Sequence, residues 1–316
     1  MATGYLVTGG AGFIGSHIAE RLLSAGGTVR VLDNFATGSR AATAALATRF
    51  GPRFELIEGD VADPVICARA TRGVATVFHE AALASVPRSM EDPLGTNRAN
   101  VSGTLSLLLA ARDAGVRRFV YAGSSSVYGS SEQLPKVETH PPAPASPYAL
   151  SKFVGEEYTR LFAEHFGVST VTLRYFNVFG PRQDPESPYA AVIPAFLKRL
   201  LRGEPPTVHG DGEQSRDFTF ISNVVDANLA AAECAATGAM NVACGARTSL
   251  LELLAILQEI LGTRITPRHE PARPGDVKHS QADITRAQRE LGYQPRVTLR
   301  DGLVETVAYF RDTFRG

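Results

Sequence analysis

The amino-acid sequence predicts an α/β fold built on a doubly wound parallel sheet. In the first half of the chain, short apolar runs alternate with longer amphipathic stretches, and the connections between them are short. Parallel neighbouring strands need a crossover connection, and a crossover helix covers the face of the sheet. With 316 residues, of which 44% are hydrophobic, the chain is long enough for two domains with a sizeable core.

The elements follow from these patterns in chain order. Buried parallel strands are expected at residues 5–7, 29–32, 54–57, 76–78, 119–122 and 170–173. Helices are expected at residues 13–25, 63–70, 97–114, 148–166, 250–261 and 301–314. Beyond about residue 176 the alternation weakens, so we predict a first domain over 1–175 and a smaller α+β domain over 176–316. Residues 217–228 are expected to return a strand and a helix to the first domain.

Composition excludes several classes of protein. Lys plus Arg and Asp plus Glu number 32 each, so no broad charged surface favours nucleic acid or an anionic membrane. No apolar run reaches the roughly 18 residues of a membrane span, and the N-terminus lacks the features of a secretory signal. Cys67, Cys234 and Cys244 lack CxxC spacing, which predicts neither a disulfide framework nor a zinc site. We expect a soluble, cytoplasmic protein without metal, nucleic-acid or membrane partners.

A glycine-rich segment, TGGAGFIGSH at 8–17, follows the first predicted strand and opens the first predicted helix. Gly10, Gly12 and Gly15 match GxGxxG, while Gly9, Gly12 and Gly15 match the related GxxGxxG. Glycines at these positions permit a tight turn and let a pyrophosphate approach the positive N-terminus of the helix. In this strand–turn–helix context the segment predicts a Rossmann-type dinucleotide site.

Two carboxylates extend this prediction. Asp33 ends the second strand, 18 residues after Gly15, where a carboxylate accepts hydrogen bonds from a ribose and repels a 2′-phosphate. Asn34 follows it rather than an arginine, so NAD is favoured over NADP. Asp60 ends the third strand and could accept a hydrogen bond from the adenine amino group, although an aspartate at this position is more often a turn former.

A candidate catalytic group lies in the segment YALSK, where Tyr148 and Lys152 are four residues apart on one face of a helix. Beside a nicotinamide, a lysine ammonium favours the phenolate and lets the tyrosine accept a proton from a carbinol. The alternative is an ordinary surface pair. Upstream, the serines of SSSVYG at 124–129 end the fifth strand, where ligand sites of parallel sheets lie, and one of these hydroxyls could bind the reacting oxygen.

Together these motifs resemble those of the extended short-chain dehydrogenase/reductase family, and within it the nucleotide-sugar 4-epimerases, over essentially the whole chain. The segments that carry the resemblance, in family order, are TGGAGFIGSH, HEAALASVPRS (79–89), NVSGT (100–104), SSSVYG, YALSK, RYFNVFGPRQDP (174–185), YAAVIP (189–194), GDGEQSRDF (210–218) and RPGDVKHSQAD (273–283). The sequence is most similar to the branch that acts on UDP-N-acetylglucosamine and UDP-glucose. The resemblance therefore implies tightly bound NAD and a UDP-sugar substrate.

The resemblance also implies a mechanism. Tyr148 would take the proton of the sugar 4-hydroxyl, Ser124 would hydrogen-bond that oxygen, and Lys152 would hold the nicotinamide ribose and lower the pKa of the phenol. NAD would accept the hydride from C4, and the 4-keto sugar would turn over and receive the hydride on its other face. The net result is inversion at C4 without oxidation.

Further contacts are implied residue by residue. The cofactor set is Gly9, Gly12, Phe13, Ile14, Gly15, Asp33, Asn34, Asp60, Val61, Ala81, Ala82, Asn100, Tyr148, Lys152 and Tyr175. The substrate set is Ala84, Ser85, Arg88, Ser124, Ser125, Ser126, Asn177, Ala191, Val192, Arg216, Arg273, Asp276 and Ser280. Arg216 and Arg273 would bind the diphosphate, Asp276 the uridine ribose, and Asn177 the diphosphate or sugar.

Substrate choice is implied at Ser280, the position of a gate beside the sugar C2 substituent. A small residue there admits an N-acetyl group, so both acetylated and plain hexoses are expected to fit. The family members that prefer the acetylated substrate are similar to one another in having glycine at the position of Ala84. The methyl group of Ala84 is therefore expected to narrow the pocket.

Alternative functions of the same fold have different requirements. Ser125 and Ser126 cannot supply the acid and base of a 4,6-dehydratase, nor the glutamate of UDP-glucuronate decarboxylases. A UDP-glucuronate 4-epimerase needs a cation near C6, and Arg88 is the candidate. A non-catalytic NAD-binding sensor is expected to lack the tyrosine or the lysine, and both are present.

A homodimer is the expected assembly, because family members pair the helices that begin here near Asn97 and Tyr148. Apolar side chains expected on the outward faces of these helices are Leu107, Phe153, Tyr158 and Leu161.

Overall fold

The computed structural model describes residues 4–187, 190–272 and 277–315. Its strands are β1 (Gly4–Thr8), β2 (Thr28–Asp33), β3 (Phe54–Glu58), β4 (Thr76–His79), β5 (Arg118–Ser124), β6 (Thr170–Tyr175), β7 (Val178–Phe179), β8 (Thr207–His209), β9 (Ser215–Arg216), β10 (Thr219–Phe220), β11 (Gly238–Val242), β12 (Thr248–Ser249) and β13 (Arg268–Glu270). Its α-helices are α1 (Phe13–Ser24), α2 (Arg40–Phe50), α3 (Pro64–Thr71), α4 (Val86–Glu91), α5 (Pro93–Asn97), α6 (Gly103–Asp113), α7 (Pro147–His165), α8 (Val192–Leu201), α9 (Ile221–Glu233), α10 (Leu250–Leu261), α11 (Thr285–Leu291) and α12 (Leu299–Arg315).

Seven parallel strands form the main sheet, in the order β11-β6-β5-β4-β1-β2-β3. The predicted α/β fold and all six predicted strands are confirmed. The strands were recognisable because helices cover both faces of the sheet, which makes each strand an apolar run. Apolar side chains of α3, α6 and α7 pack on one face, and those of α1, α2 and α9 pack on the other.

Beyond β6 the chain forms three two-stranded sheets, β7 with β10, β8 with β13 and β9 with β12. The segment expected to return to the first domain contains β10 and most of α9. Its helix packs on the main sheet, but β10 pairs with β7 outside it. The division at residues 175 and 176 remains a prediction, and β11, which lies beyond it, joins the main sheet beside β6.

The predicted helix over residues 97–114 is not continuous. Residues Arg98–Ser102 form a π-helical turn between α5 and α6, and Asn100 lies within this turn, 1% exposed. A π turn inserts one residue into the helical hydrogen-bond ladder and is frequent at functional sites.

The expectation that Leu107 faces outward is wrong. Its side chain is fully buried in the cluster formed by α3, α6, α7 and the sheet. The apolar face of α6 turns toward the sheet because α6 is a crossover helix. The exposed leucine of this helix is Leu109 instead.

Candidate active site

Three neighbouring strands end at the same end of the sheet and position the candidate catalytic residues. Glu80 directly follows β4, Ser124 ends β5, and Tyr175 ends β6. Helix α7 begins above these ends, where the Ser146 hydroxyl caps it by accepting a hydrogen bond from the Ala149 amide at 3.1 Å. Ligands of parallel α/β sheets bind at this end of the strands.

Lys152 lies on α7 and is 4% exposed. Its Nζ donates a hydrogen bond to the carbonyl oxygen of Ala122 at 2.8 Å and lies 5.1 Å from the centre of the Tyr121 ring. Burial lowers the pKa of Lys152 to about 8, and the charge of Glu80 acts in the opposite direction. The ammonium is therefore held in place at the strand ends.

Tyr148 and Ser124 are neighbours at the end of β5. Burial raises the pKa of the Tyr148 phenol, and the hydrogen bond with Ser124 lowers it. The Ser124 Oγ accepts two hydrogen bonds from Ser126, one from the backbone amide at 3.2 Å and one from the hydroxyl at 2.8 Å. Because its acceptor positions are filled in this way, the single Ser124 hydroxyl proton is available to donate to an oxygen at the site.

Sequence reasoning missed Glu80. The Tyr175 hydroxyl donates to the Glu80 Oε1 at 2.9 Å, and Asn228 Nδ2 on α9 donates to the Tyr175 hydroxyl at 2.8 Å. Burial raises the pKa of Glu80 to about 7, against the hydrogen bond from Tyr175 and the charge of Lys152. A carboxylate within the largely apolar run 78–84, directly after a parallel strand, was the signal that could have identified it.

A groove of about 810 Å³ runs along the N-terminus of α1. The predicted cofactor residues that line it are Gly9, Gly12, Phe13, Ile14, Gly15, Asp33, Asn34, Asp60, Val61, Ala81 and Ala82. The groove fits a dinucleotide for a structural reason. A Cβ at Gly9 would lie 2.7 Å from the Ala81 amide nitrogen, and one at Gly15 would overlap the Gly9 carbonyl oxygen. Gly12 caps α1 without a side chain, which leaves the helix N-terminus open to a phosphate.

Asp33 is built into the adenosine end of this groove. Its two oxygens accept hydrogen bonds from the amides of Ala11 at 2.9 Å and Phe35 at 2.8 Å. Burial raises the pKa of Asp33, and these two amides oppose that effect. The guanidinium of Arg40 lies 4.1 Å from the Phe35 ring centre, but it forms two hydrogen bonds to Glu58, at 2.6 and 2.9 Å. A cation that could attract a 2′-phosphate is thus already paired with a carboxylate.

Two predicted cofactor residues have structural partners elsewhere. Asn100 accepts from the Leu83 amide at 2.8 Å and donates to the Leu83 carbonyl at 3.3 Å and to the Ser151 hydroxyl at 2.9 Å. It therefore fixes the loop after β4 to α7. Tyr175 is 8% exposed, and its hydroxyl is engaged by Glu80 and Asn228. Direct contact of Asn100 or Tyr175 with a cofactor stays a prediction.

A second cavity of about 610 Å³ includes four predicted substrate residues, Asn177, Ala191, Val192 and Arg216. Arg199 and His209 also line it, and sequence reasoning missed both. Ala191 is the N-cap of α8 and has no capping side chain, so the positive N-terminus of this helix forms part of the cavity wall. The cavity presents the guanidinium groups of Arg199 and Arg216 and a helix terminus to an anion, and the carboxylate of Glu270 also lines it.

The remaining predicted substrate residues are more scattered. Ala84 and Arg88 line the dinucleotide groove, and Ser85 caps α4. Ser125 and Ser126 form the turn after β5 with Ser124. Ser280 donates its amide to the Ser215 carbonyl at 3.0 Å, which places it beside β9 and Arg216. Arg273 and Asp276 lie outside the described residues.

The sequence and the fold are both similar to those of known proteins. The model of the NAD dependent epimerase/dehydratase family matches residues 5–243. A UDP-glucose 4-epimerase of Mycolicibacterium smegmatis is 40% identical over 97% of the chain and 98% of that protein. A UDP-N-acetylglucosamine 4-epimerase of Methanobrevibacter ruminantium M1, solved with UDP-N-acetylmuramic acid, is 38% identical, has a TM-score of 0.94 and covers 99% of both chains. A UDP-glucuronic acid 4-epimerase from Bacillus cereus, solved with UDP-glucuronic acid and NAD, is 31% identical, has a TM-score of 0.90 and covers 98% of this chain and 100% of that one.

Proposed function

The chain belongs to the NAD dependent epimerase/dehydratase family, and on this premise we propose that it is a UDP-sugar 4-epimerase. It inverts C4 of UDP-hexoses through a 4-keto intermediate. One observation carries the proposal: Tyr148 and Lys152 on α7 meet Ser124 at the end of β5. This strand lies between β4, which leads into the dinucleotide groove, and β6, which leads to the second cavity.

Bound NAD supplies the hydride acceptor and donor for C4, and the groove residues hold it. Tyr148 takes the proton from the 4-hydroxyl and later returns it. Ser124 donates a hydrogen bond to the reacting oxygen, and its bonds from Ser126 keep it in position. The Lys152 ammonium lowers the pKa of the phenol and binds the nicotinamide ribose. Direct roles for these three side chains follow the family pattern.

Dehydration is disfavoured by the turn after β5. A 4,6-dehydratase needs an added acid and base beside the sugar. The turn carries Ser125 and Ser126, whose hydroxyls do not titrate near neutral pH, and the Ser126 hydroxyl is bound to Ser124.

The proposed substrates are UDP-GlcNAc and UDP-GalNAc, together with UDP-Glc and UDP-Gal. The diphosphate needs local cations in a protein without net charge, and Arg216, Arg273 and the N-terminus of α8 supply them. Asp276 binds the uridine ribose. Ser280 is small enough to leave room for an N-acetyl group.

A UDP-glucuronate 4-epimerase is the second candidate. It is favoured by the similarity to the Bacillus cereus enzyme and by Arg88, which lines the dinucleotide groove beside Ala84 and could neutralise a C6 carboxylate.

Parallel incubation with UDP-Glc, UDP-GlcNAc and UDP-GlcA tests the choice. We expect C4 inversion of UDP-GlcNAc and UDP-Glc, scored by proton NMR of the anomeric signal. UDP-GlcA is expected to remain unchanged, since it alone of the three substrates carries a C6 carboxylate that needs a cation beside it. Turnover of UDP-GlcA alone would assign the enzyme to the second candidate.

A cytoplasmic homodimer is proposed as the working form. Within the described ranges, no helix has the length and apolar character needed to cross a membrane. Large apolar side chains near α4 to α7 are exposed, with Leu94 at 82%, Met90 at 64% and Leu150 at 51%. An apolar surface of this kind favours a protein partner.

Light scattering after size-exclusion chromatography is expected to give about twice the 33.7 kDa chain mass. Replacing Leu94 and Leu150 with Glu together should shift the protein to the monomer mass, because two charges per subunit would be buried in the interface. A dimer unchanged by this double substitution would place the interface elsewhere.

A further inference from the structure

Glu80 is a partly buried carboxylate at the reaction end of the sheet, and no step of the proposed reaction uses it. Its Oε1 accepts a hydrogen bond from the Tyr175 hydroxyl at 2.9 Å. The Tyr175 oxygen in turn accepts from Asn228 Nδ2 at 2.8 Å, while the Asn228 Oδ1 lies further away, at 3.1 Å. A carboxylate is the stronger acceptor, so the tyrosine proton is directed to Glu80. This arrangement favours the ionised carboxylate.

The strand register aligns Glu80 with the residue whose carbonyl holds the lysine. His79 pairs with Tyr121, so Glu80, one residue further, is level with Ala122 on the adjacent strand. The Ala122 carbonyl is the group that holds the Lys152 Nζ at 2.8 Å. Side chains alternate between the two faces of a strand, so Glu80 points with Tyr175 toward α9, while Lys152 reaches the Ala122 carbonyl from the α7 side. Both groups lie at the ends of β4 and β5, and the charge of Glu80 acts on Lys152 across these strand ends rather than through a direct ion pair.

Other titratable groups around Lys152 carry no competing charge. His79 is bound between the Thr8 and Thr104 hydroxyls at 2.7 and 2.9 Å, and burial lowers its pKa to about 3, so it is neutral. Burial raises the pKa values of Tyr121, on the sheet, and of Tyr148, on α7. Tyr121 takes no part in the proposed reaction, and Tyr148 becomes negative only in the phenolate form that takes the substrate proton.

Glu156, one turn further along α7, is bonded to Arg174 at 2.5 and 2.9 Å. Among the described groups that face Lys152, Glu80 is thus the carboxylate whose charge acts on it, apart from the phenolate that Tyr148 forms during the reaction.

We propose that Glu80 is a positioning residue that acts through Lys152. Its carboxylate keeps the lysine in the ammonium form, and this sets the alkaline limit of the epimerase reaction. The inference rests on the proposed function for its kinetic part only. An anion beside an ammonium raises the pKa of that ammonium. Without the anion, Lys152 loses its proton at lower pH, and so the alkaline loss of activity begins at lower pH.

The pKa of Lys152 can be measured without any substrate. The chain has four lysines, Lys136, Lys152, Lys198 and Lys278. Protein labelled with ¹³C at lysine Cε therefore gives four signals, and a Lys152→Arg variant identifies the one of interest. In the holoenzyme, Glu80→Gln is expected to lower the midpoint of the Lys152 titration by about one pH unit, a tenfold change in the ionisation constant.

Glu55→Gln is the matched control. Glu55 lies on β3 of the same sheet, is exposed, and pairs with Arg30 at 2.7 Å, so its removal should leave Lys152 unchanged. Unchanged titration of Lys152 in Glu80→Gln would overturn the pairing. If the glutamine variant fails to fold, Tyr175→Phe removes the donor that holds Glu80 ionised and should lower the Lys152 midpoint in the same direction.

The kinetic part is read from the pH profile of kcat/KM. Its alkaline limb is expected to move to lower pH by the same amount in Glu80→Gln. A purely structural role would lower activity at every pH and leave the limb in place. A shifted lysine titration with an unmoved limb would overturn the kinetic part. Absence of epimerase activity in the wild-type enzyme would overturn the proposed function, while the NMR result would still decide the pairing.

Discussion

Tyr148→Phe is expected to reduce C4 epimerisation by about 10³-fold, within the range that removal of a general base gives. The phenol is the group that exchanges the proton of the 4-hydroxyl, and phenylalanine retains the ring without the hydroxyl. Lys152 and Ser124 remain in the variant, but neither can take over the role of the Tyr148 phenol as the base beside the 4-hydroxyl. The measurement is the initial rate of UDP-GlcNAc and UDP-Glc interconversion with their C4 epimers.

Binding and stability should survive this substitution. Bound NAD, quantified after release from the purified protein, and the unfolding midpoint are expected to match those of the wild type. Tyr158→Phe is the matched control, since Tyr158 lies on the same helix and packs against the core under α7. Full activity in Tyr148→Phe would show that another residue acts as the base.

The parallel sheet was predictable because burial on both faces leaves a direct trace in the sequence. Helix α8 was not predictable, because a proline such as Pro194 usually indicates the end of a helix. The proline lies in the first turn of α8, where its missing amide would have had no partner in any case. The small sheets of the second half were also missed, because strands of two or three residues carry no readable period.

The same division holds for the site. The glycine turn and the tyrosine and lysine on α7 are local patterns, and each has a chemical reason for its spacing. Glu80 depends on Tyr175 and Asn228, which lie 95 and 148 residues further along the chain. The position and the partners of such a charge are defined only when distant elements pack together. Leu107 was misplaced for the same reason, because the sequence does not show which face of α6 meets the sheet.

Glu156→Ala is expected to destabilise the protein by about 3–5 kcal/mol, the cost of leaving one member of a buried ion pair without its partner. Glu156 on α7 binds the Arg174 guanidinium through both oxygens, and the two side chains are 8% and 4% exposed. Arg174 also donates to the Tyr128 hydroxyl at 2.8 Å, and Tyr128 donates to Asn241 at 2.6 Å. The network therefore joins α7, β6, β11 and the turn that carries Ser124.

Glu164→Ala on the same helix provides the comparison. Glu164 binds Arg160 through both oxygens at 2.7 and 2.8 Å, but its side chain is 48% exposed. An exposed pair of this type contributes at most about 1 kcal/mol. Urea unfolding of both variants separates the effect of burial on stability from the effect of bond geometry. The two carboxylates make similar hydrogen bonds to arginine and differ mainly in their exposure to solvent. Equal losses of stability would mean that the buried pair is compensated by water or by rearrangement of Arg174. A large loss in Glu156→Ala alone would show that the pair beneath the serine turn supports the site as a unit.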